Sequence, residues 1–451
     1  MGTFVERAAR RLNRPAFRLP EGTGDACPPT STALLHADAG PAGCLPSAIT
    51  ECPKIGHTGP LLLRALDPLA YANRAVATLA AGRDVFLGNP HWTELETAVA
   101  EIQLRATPPT TTGTPGRVMI ATGGSGGTLR FAIHSADTLT AAADALQAQL
   151  GGGPINSLCL LPLHHVSGFQ QLVRALATDG ELRLGDWPSI AAGQRPEIQA
   201  TGNWILSLVP TQLQRLIGDP AACVWLRRFT TILLGGAPAG AALLAQARTA
   251  GLPLAQAYGA TETAAVFAWQ APADFLAGAT GLRPLPHAAV RVLEPDTGHP
   301  VAPGTIGRIE VTAASLFLGY WPKLRSAGPW LTDDLGTLSA DGRLLVVGRA
   351  DTAINTGGEK VHPAEVETAL RATGAFSEVV VLGVADARWG EGVAAFFPAN
   401  DRPNLVAVEQ RLRAQLSAPK VPRRWIPVAT WPRTAQGKTD RAALRKLADN
   451  H

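Results

Sequence analysis

Ala121-Thr122-Gly123-Gly124-Ser125-Gly126-Gly127-Thr128 is the densest run of chemistry-bearing residues in the chain. Its glycines let a backbone turn N–H groups inward, and the hydroxyls of Thr122, Ser125 and Thr128 add donors, which is what a polyphosphate cradle needs. The flanks decide the kind of loop. Arg117-Val118-Met119-Ile120 reads as a strand and Phe131-Ala132-Ile133-His134 alternates like one, so the loop joins strand to strand. A Walker A loop opens a helix and carries Gly-Lys-Ser/Thr, which is absent, and this disfavours a P-loop kinase or GTPase. The cysteines offer less. Cys27, Cys44, Cys52, Cys159 and Cys223 are an odd set without CxxC spacing, and His36 and His57 fit no ligand spacing. Free thiols in a reducing compartment are expected.

The elements that must hold such a loop are legible around it. Strand-like Asp84-Val85-Phe86-Leu87, Trp204 to Leu208 and Thr231 to Leu234 alternate with helical stretches such as Ser135 to Leu150, capped by Ser135. This pattern predicts α/β layers with parallel strands. Residues 20–60, rich in Pro, Gly, Thr and Ser, read as irregular, and the Arg-rich opening before them as a short surface helix. A second α/β unit begins near Arg349-Ala350-Asp351. It runs through a helix with Pro363 in its first turn, strands at Glu378–Leu382 and Val393–Phe397, a helix at Val408–Leu416, a strand at Trp425–Val428 and a helix after Thr439. The expected division is therefore 1–350 and 351–451. With 451 residues, 46% hydrophobic and 17% charged, the chain has the balance of a soluble globular protein. A net charge of +4 suits anionic small molecules and is too small to argue for nucleic acid. Gly235, Gly236, Pro238 and Gly240 break the longest apolar stretch, so no transmembrane segment is expected, and the reading is cytoplasmic. Oligomeric state is not legible.

From residue 60 onward these features resemble the acyl-CoA synthetase, luciferase and peptide-synthetase adenylation superfamily. Its phosphate loop reads Thr-Ser-Gly-Ser/Thr-Thr-Gly-x-Pro-Lys; here Leu129 stands for Pro and Arg130 for Lys. The cradle Thr122, Gly123, Gly124, Ser125, Gly126, Gly127 and Thr128 remains, while the role of the terminal basic residue is left open. Gly235-Gly236-Ala237-Pro238 resembles the turn bordering adenine, and Tyr258-Gly259-Ala260-Thr261-Glu262 matches Tyr-Gly-x-Thr-Glu. The resemblance implies Tyr258 stacked on adenine, Gly259 in the turn, Thr261 on phosphate and Glu262 on Mg2+. A hard divalent ion on triphosphate takes one or two protein carboxylates and keeps water otherwise. Thr332-Asp333-Asp334-Leu335-Gly336 resembles Thr-Gly-Asp-x-Gly, with Asp334 for the ribose and Asp333 in place of glycine. Gly348-Arg349-Ala350-Asp351 matches the ribose arginine, Arg349, and the hinge, Asp351. Gly357-Gly358 resembles the loop lining the thiol tunnel, and Pro432 to Arg441 the segment carrying a mobile catalytic lysine, here Lys438. The implied fold is a large N-terminal domain of layered mixed α/β sheets with a small mobile C-terminal α/β domain. The implied reaction consumes ATP with Mg2+ and passes an acyl group to CoA.

Leu161-Pro162-Leu163-His164-His165-Val166-Ser167-Gly168, followed by Arg174, looks like the matching stretch of the o-succinylbenzoate–CoA ligase branch. Asn89-Pro90-His91-Trp92 and the Thr-Gly-Gly-Ser loop are most similar to cyanobacterial members serving phylloquinone or menaquinone synthesis. That resemblance implies an aromatic dicarboxylate held by His164, Ser167 and Arg174, with His165 guarding the reacting carboxylate. Another aryl- or acyl-CoA ligase, a carrier-protein-loading adenylation enzyme, and a non-catalytic nucleotide-binding homologue remain the alternatives.

Overall fold

The computed structural model describes Phe17–Arg18 and residues 60–106, 116–123, 129–199, 201–295, 297–350, 354–356, 359–386, 388–433 and 439–448. The irregular segment expected over 20–60 lies outside these residues, save for Pro60, as does the opening before Phe17; where a helix was expected, Phe17–Arg18 is a strand that pairs in parallel with Leu182 and Arg183.

Four sheets organise the described residues. The largest has eight strands, and its centre runs Leu182–Leu184, Ile155–Cys159, Asn203–Leu208, Thr231–Leu234 and Leu254–Ala260. These neighbours pair in parallel, as the alternation of strand and helix predicts. Thr231–Leu234 is buried at every position. Both faces of a parallel sheet are covered by its crossover helices, so its strands read as continuous apolar runs. Trp204, Leu206, Leu208, Leu213, Trp225 and Phe275 fill one covering layer, and Leu146, Ile155, Ile205 and Trp269 belong to the other.

A six-stranded sheet carries the phosphate-loop flanks. Val118–Gly123 pairs antiparallel with Leu129–His134, which pairs antiparallel with Gly319–Tyr320. Its core face packs Phe86, Met119, Phe131, Ile133 and Trp321, with Phe86 edge-on to Phe131 at 5.0 Å and to Trp321 at 5.2 Å between centroids. The helix Ala136–Gln149 follows, and Ser135 with Thr138 closes a capping box as the sequence predicts. Parallel pairing does not extend throughout. Ala288–Leu293, Gly307–Ala313, Trp330–Leu338 and Leu344–Arg349 form an antiparallel sheet of their own.

The fourth sheet gathers Glu359–Val361, Ile354–Thr356, Gly390–Pro398, Val380–Asp386 and Arg424–Val428. Pro363 starts the helix Pro363–Ala372, where its missing N–H costs nothing. Two expected boundaries shift. The helix expected at Val408–Leu416 is Leu405–Arg413, because the Asn404 side chain accepts from Ala407 N and sets the start. The strand expected from Glu378 begins at Val380. Glu367, buried on the helix, accepts from Val381 N at 2.9 Å and pairs with Arg371 at 3.0 Å and Arg441 at 2.5 Å. One carboxylate thus ties three elements of this unit together. Among the described residues no helix is long and apolar enough to cross a membrane.

Removing that carboxylate leaves the buried Val381 N–H unsatisfied and takes the partner from two half-exposed guanidiniums. Glu367→Ala should destabilise the protein by about 1–3 kcal/mol, read as a lower urea midpoint at unchanged m-value.

Candidate active site

In open α/β sheets, ligands collect at the carboxyl ends of parallel strands, and the implicated residues sit there. His164 and His165 follow Ile155–Cys159, Gly235 follows Thr231–Leu234, and Tyr258 lies near the end of Leu254–Ala260. Leu234 opposes Gln256 in register, which sets the Gly235-Gly236-Ala237-Pro238 turn beside Tyr258. Gly236 has φ +80°, within the left-handed range glycine tolerates. At Gly259 the strand bulges against its partner, and a Cβ there would stand 1.8 Å from the carbonyl oxygen of Ala265. Only glycine fits. Ala264 and Ala265 follow at φ 52° and 74°. Two consecutive alanines in this region cost about 1–2 kcal/mol each, strain of the kind that collects at functional turns.

Tyr258 donates its hydroxyl to Asp334 Oδ2 at 2.5 Å, and burial and the Asp334 charge push the phenol well above its usual range, so it stays a donor. Asp334 opposes Arg349 in register, with the guanidinium 3.8 Å from Oδ1. Asp333, standing where the superfamily has glycine, instead meets Arg308 and Arg349 at 3.4 Å each. Its side chain is 60% exposed against 23% for Asp334. Exposed pairs of that kind contribute about 0–1 kcal/mol, so Asp334 is the group built into the site.

Glu262 lies on the short helical turn Thr261–Thr263 and is buried. Its Oε1 accepts from the Tyr320 hydroxyl at 2.5 Å, and its carbonyl accepts from Phe317 N at 2.8 Å. The preceding carbonyl, of Thr261, accepts from His134 Nε2 at 2.8 Å. A carbonyl cannot donate, so Nε2 carries the proton and Nδ1 accepts from Thr138 Oγ1, 3.0 Å away. Burial lowers the His134 pKa to about 4, so the ring is neutral at ordinary pH. The strand Val118–Gly123 packs against the same turn. At its end, the buried hydroxyl of Thr122 has no hydrogen-bond partner among the described residues. An unsatisfied donor beside a buried carboxylate, at the head of a glycine run, fits a magnesium-bound triphosphate.

On the acid side, His165 caps the helix Val166–Thr178. The His164 and His165 rings are 4.3 Å apart. Burial, then His165, then His91 lower the His164 pKa to about 3. Ser167, Gln171 and Arg174 recur at i, i+4 and i+7, one face of that helix. Arg174 is buried, makes no ion pair among the described residues, and its Nε has no partner. Burial lowers its pKa to about 10, which still leaves it charged. The nearby Cys159 thiol is pushed up to about 12 by burial and brings no counter-charge. Cys159 and Cys223 are free, whereas Cys27, Cys44 and Cys52 lie outside the described residues.

Gly124, Ser125, Gly126, Gly127, Thr128, Asp351, Gly357, Gly358 and Lys438 also lie outside them. What brackets Lys438 is defined. Arg433 and Thr439 form an antiparallel bridge, and the Trp431 indole donates to Thr439 Oγ1 at 3.2 Å. That hydroxyl donates to Glu378 Oε2 at 3.4 Å, and the same carboxylate pairs with Arg433. Sequence reasoning gave no role to His134, Tyr320 or Glu378, and quoted His91 only within Asn89-Pro90-His91-Trp92.

Two family models match the chain: AMP-binding enzyme over residues 69–321, and AMP-binding enzyme C-terminal domain over 365–438. A probable 2-succinylbenzoate–CoA ligase of Mycobacterium tuberculosis is 33% identical, with 72% of this chain and 83% of that protein covered. The 2-succinylbenzoate–CoA ligase of Geobacillus kaustophilus is 32% identical over 75% of this chain and 67% of that protein. The fold matches o-succinylbenzoate CoA synthetase from Bacillus subtilis in complex with its acyl-adenylate, at TM-score 0.72 and 22% identity, covering 86% and 88% of the two chains. ATP-bound MatB from Rhodopseudomonas palustris gives TM-score 0.73 at 23% identity, covering 87% and 89%.

His134 also sets a pH signature. An unfolded histidine takes its proton near 6.5, whereas His134 in the fold resists to about 4, so the unfolded chain binds more protons in between. Stability from this group is full above pH 6.5 and declines as pH falls toward 4, by at most roughly 3 kcal/mol. Urea midpoints measured across that window should fall more steeply for the wild-type chain than for His134→Gln.

Proposed function

Because the chain belongs to the AMP-binding enzyme family, we propose that it is an ATP-dependent ligase joining o-succinylbenzoate to coenzyme A. It would serve menaquinone or phylloquinone synthesis in the cytoplasm. In the first step a carboxylate oxygen attacks the α-phosphorus of ATP and pyrophosphate departs with the bonding electron pair. In the second, the CoA thiol gives up its proton, its sulfur attacks the acyl carbon, and AMP leaves.

Asp334, held between Tyr258 and Arg349, takes the ribose hydroxyls. The Gly235-Gly236-Ala237-Pro238 turn and the Tyr258 ring enclose adenine. Thr122, Thr261 and the glycine run hold the phosphates. Glu262 would hold Mg2+, which when bound would supply charge neutralisation at the phosphate oxygens. Negative charge grows on those oxygens in the transition state, so fixed donors and cations supply most of the acceleration, each worth about 10²–10³ in rate. Lys438 would bring an ammonium to the α-phosphate and the reacting carboxylate, a task for a point charge on a flexible stem. We take 1–350 as the body and 351–451 as a lid turning about Asp351, which would present Gly357 and Gly358 to the thiol in the second step.

The substrate assignment rests on one observation above the rest: Arg174, on the helix that His165 begins, is a buried cation with no acidic partner among the described residues. Burying an unpaired charge is costly, and the non-reacting carboxylate of o-succinylbenzoate would supply its partner. His164 and Ser167 complete that end of the acid, while His165 guards the reacting end.

Two outcomes are expected. Lys438→Ala should abolish acid-dependent pyrophosphate exchange yet spare thioester formation from supplied acyl-adenylate, and full exchange in that variant would remove Lys438 from the mechanism. Arg174→Met should raise KM for o-succinylbenzoate by roughly 30-fold or more, with benzoate unaffected. AMP release across a panel of aromatic acids checks this; a response to monocarboxylates alone would reassign the substrate.

A further inference from the structure

The strand Leu129–His134 sends alternate side chains to opposite faces. Phe131 and Ile133 enter the apolar core, so Arg130, Ala132 and His134 share the other face. Tyr320 opposes Ala132 in the antiparallel register, which makes Arg130 its diagonal neighbour, within reach of a long side chain. The Arg130 guanidinium lies 4.5 Å from the centre of the Tyr320 ring, and the Tyr320 hydroxyl donates to Glu262 Oε1 at 2.5 Å. His134, four residues along the same face, holds the Thr261 carbonyl. Two paired strands therefore grip the two residues of the turn, His134 of one holding the backbone and Tyr320 of the other, with Arg130 on its ring, holding the carboxylate.

We infer that Arg130 and Tyr320 are positioning residues for the Glu262 carboxylate. Tyr320 fixes Oε1 so that the remaining lone pairs meet the metal–nucleotide, and Arg130 acts through Tyr320 by stacking on its ring. This rests on Glu262 being the metal carboxylate. It also gives a reason for arginine where the superfamily's loop ends in lysine: a planar guanidinium stacks on an aromatic face, whereas a compact ammonium covers it poorly. Trp321, one residue on, points to the opposite face and packs with Phe86, so the Tyr-Trp pair divides its work between site and core.

The test is calorimetric titration of ATP into the full chain with Mg2+ and, separately, with EDTA. Their ratio reads the metal-dependent part of affinity without turnover. Tyr320→Phe keeps the ring and removes the donor, and should reduce that ratio about 10-fold while leaving the EDTA affinity and the thermal midpoint near wild type. Arg130→Lys, at an exposed position, should reduce it about 3-fold. The double variant should fall no further than Tyr320→Phe alone, since Arg130 works through that ring. Tighter Mg2+-dependent binding in Tyr320→Phe, an unchanged ratio, or additive losses would overturn the proposal. Glu262→Gln is the control. If it keeps the full metal-dependent increment, the reading of Glu262 fails; if it loses it while Tyr320→Phe does not, only the positioning claim fails. Should Tyr320→Phe fold poorly, Arg130→Lys alone decides.

Discussion

The site depends on holding one short, strained turn still. In the proposed reading Thr261 and Glu262 offer a hydroxyl and a carboxylate to the nucleotide, and the backbone after them runs through two left-handed alanines. Such a turn keeps its shape only if its surroundings over-determine it. The strand after the glycine run does so through His134, its neighbour Gly319–Tyr320 through Tyr320, and the N–H of Phe317 adds a third hold. The strands that flank the glycine run and the turn that bears Glu262 are thereby referenced to the same sheet.

Burial tunes each partner toward a single protonation state. His134 and His164 are held neutral, while the phenols of Tyr258 and Tyr320 are pushed up and remain donors to Asp334 and Glu262. The two carboxylates thus face fixed dipoles in a partly desolvated site, where such groups need no reorganisation as charge develops. Arg174 is the contrast. It is a buried charge that, in the proposed reading, the acid's second carboxylate would satisfy, turning a cost in the free protein into selectivity.

Much of this was legible in the chain itself, for identifiable reasons. The glycine run, Tyr258-Gly259-Ala260-Thr261-Glu262 and Asp334-Arg349 are local segments whose chemistry travels with their spacing. Ser135 announced its helix because a cap is a local device, while the helix beginning at Leu405 was misplaced because Asn404 outweighed the apolar pattern that pointed to Val408. Tyr320 and His134 escaped notice because their roles exist only after two strands pair and a third element packs across them. No spacing encodes a contact between residues 134 and 261. Glu378 was missed likewise: it meets Arg433 and Thr439 only once the small sheet has formed.

The central claim is that a carboxylate oxygen of the acid becomes bonded to the α-phosphorus of ATP before the thiol arrives. It is tested by supplying o-succinylbenzoate labelled with oxygen-18 in its carboxylates, together with ATP, Mg2+ and CoA, and weighing the AMP released. The account predicts one labelled oxygen in each AMP. Thioester forming while AMP stays unlabelled would contradict it.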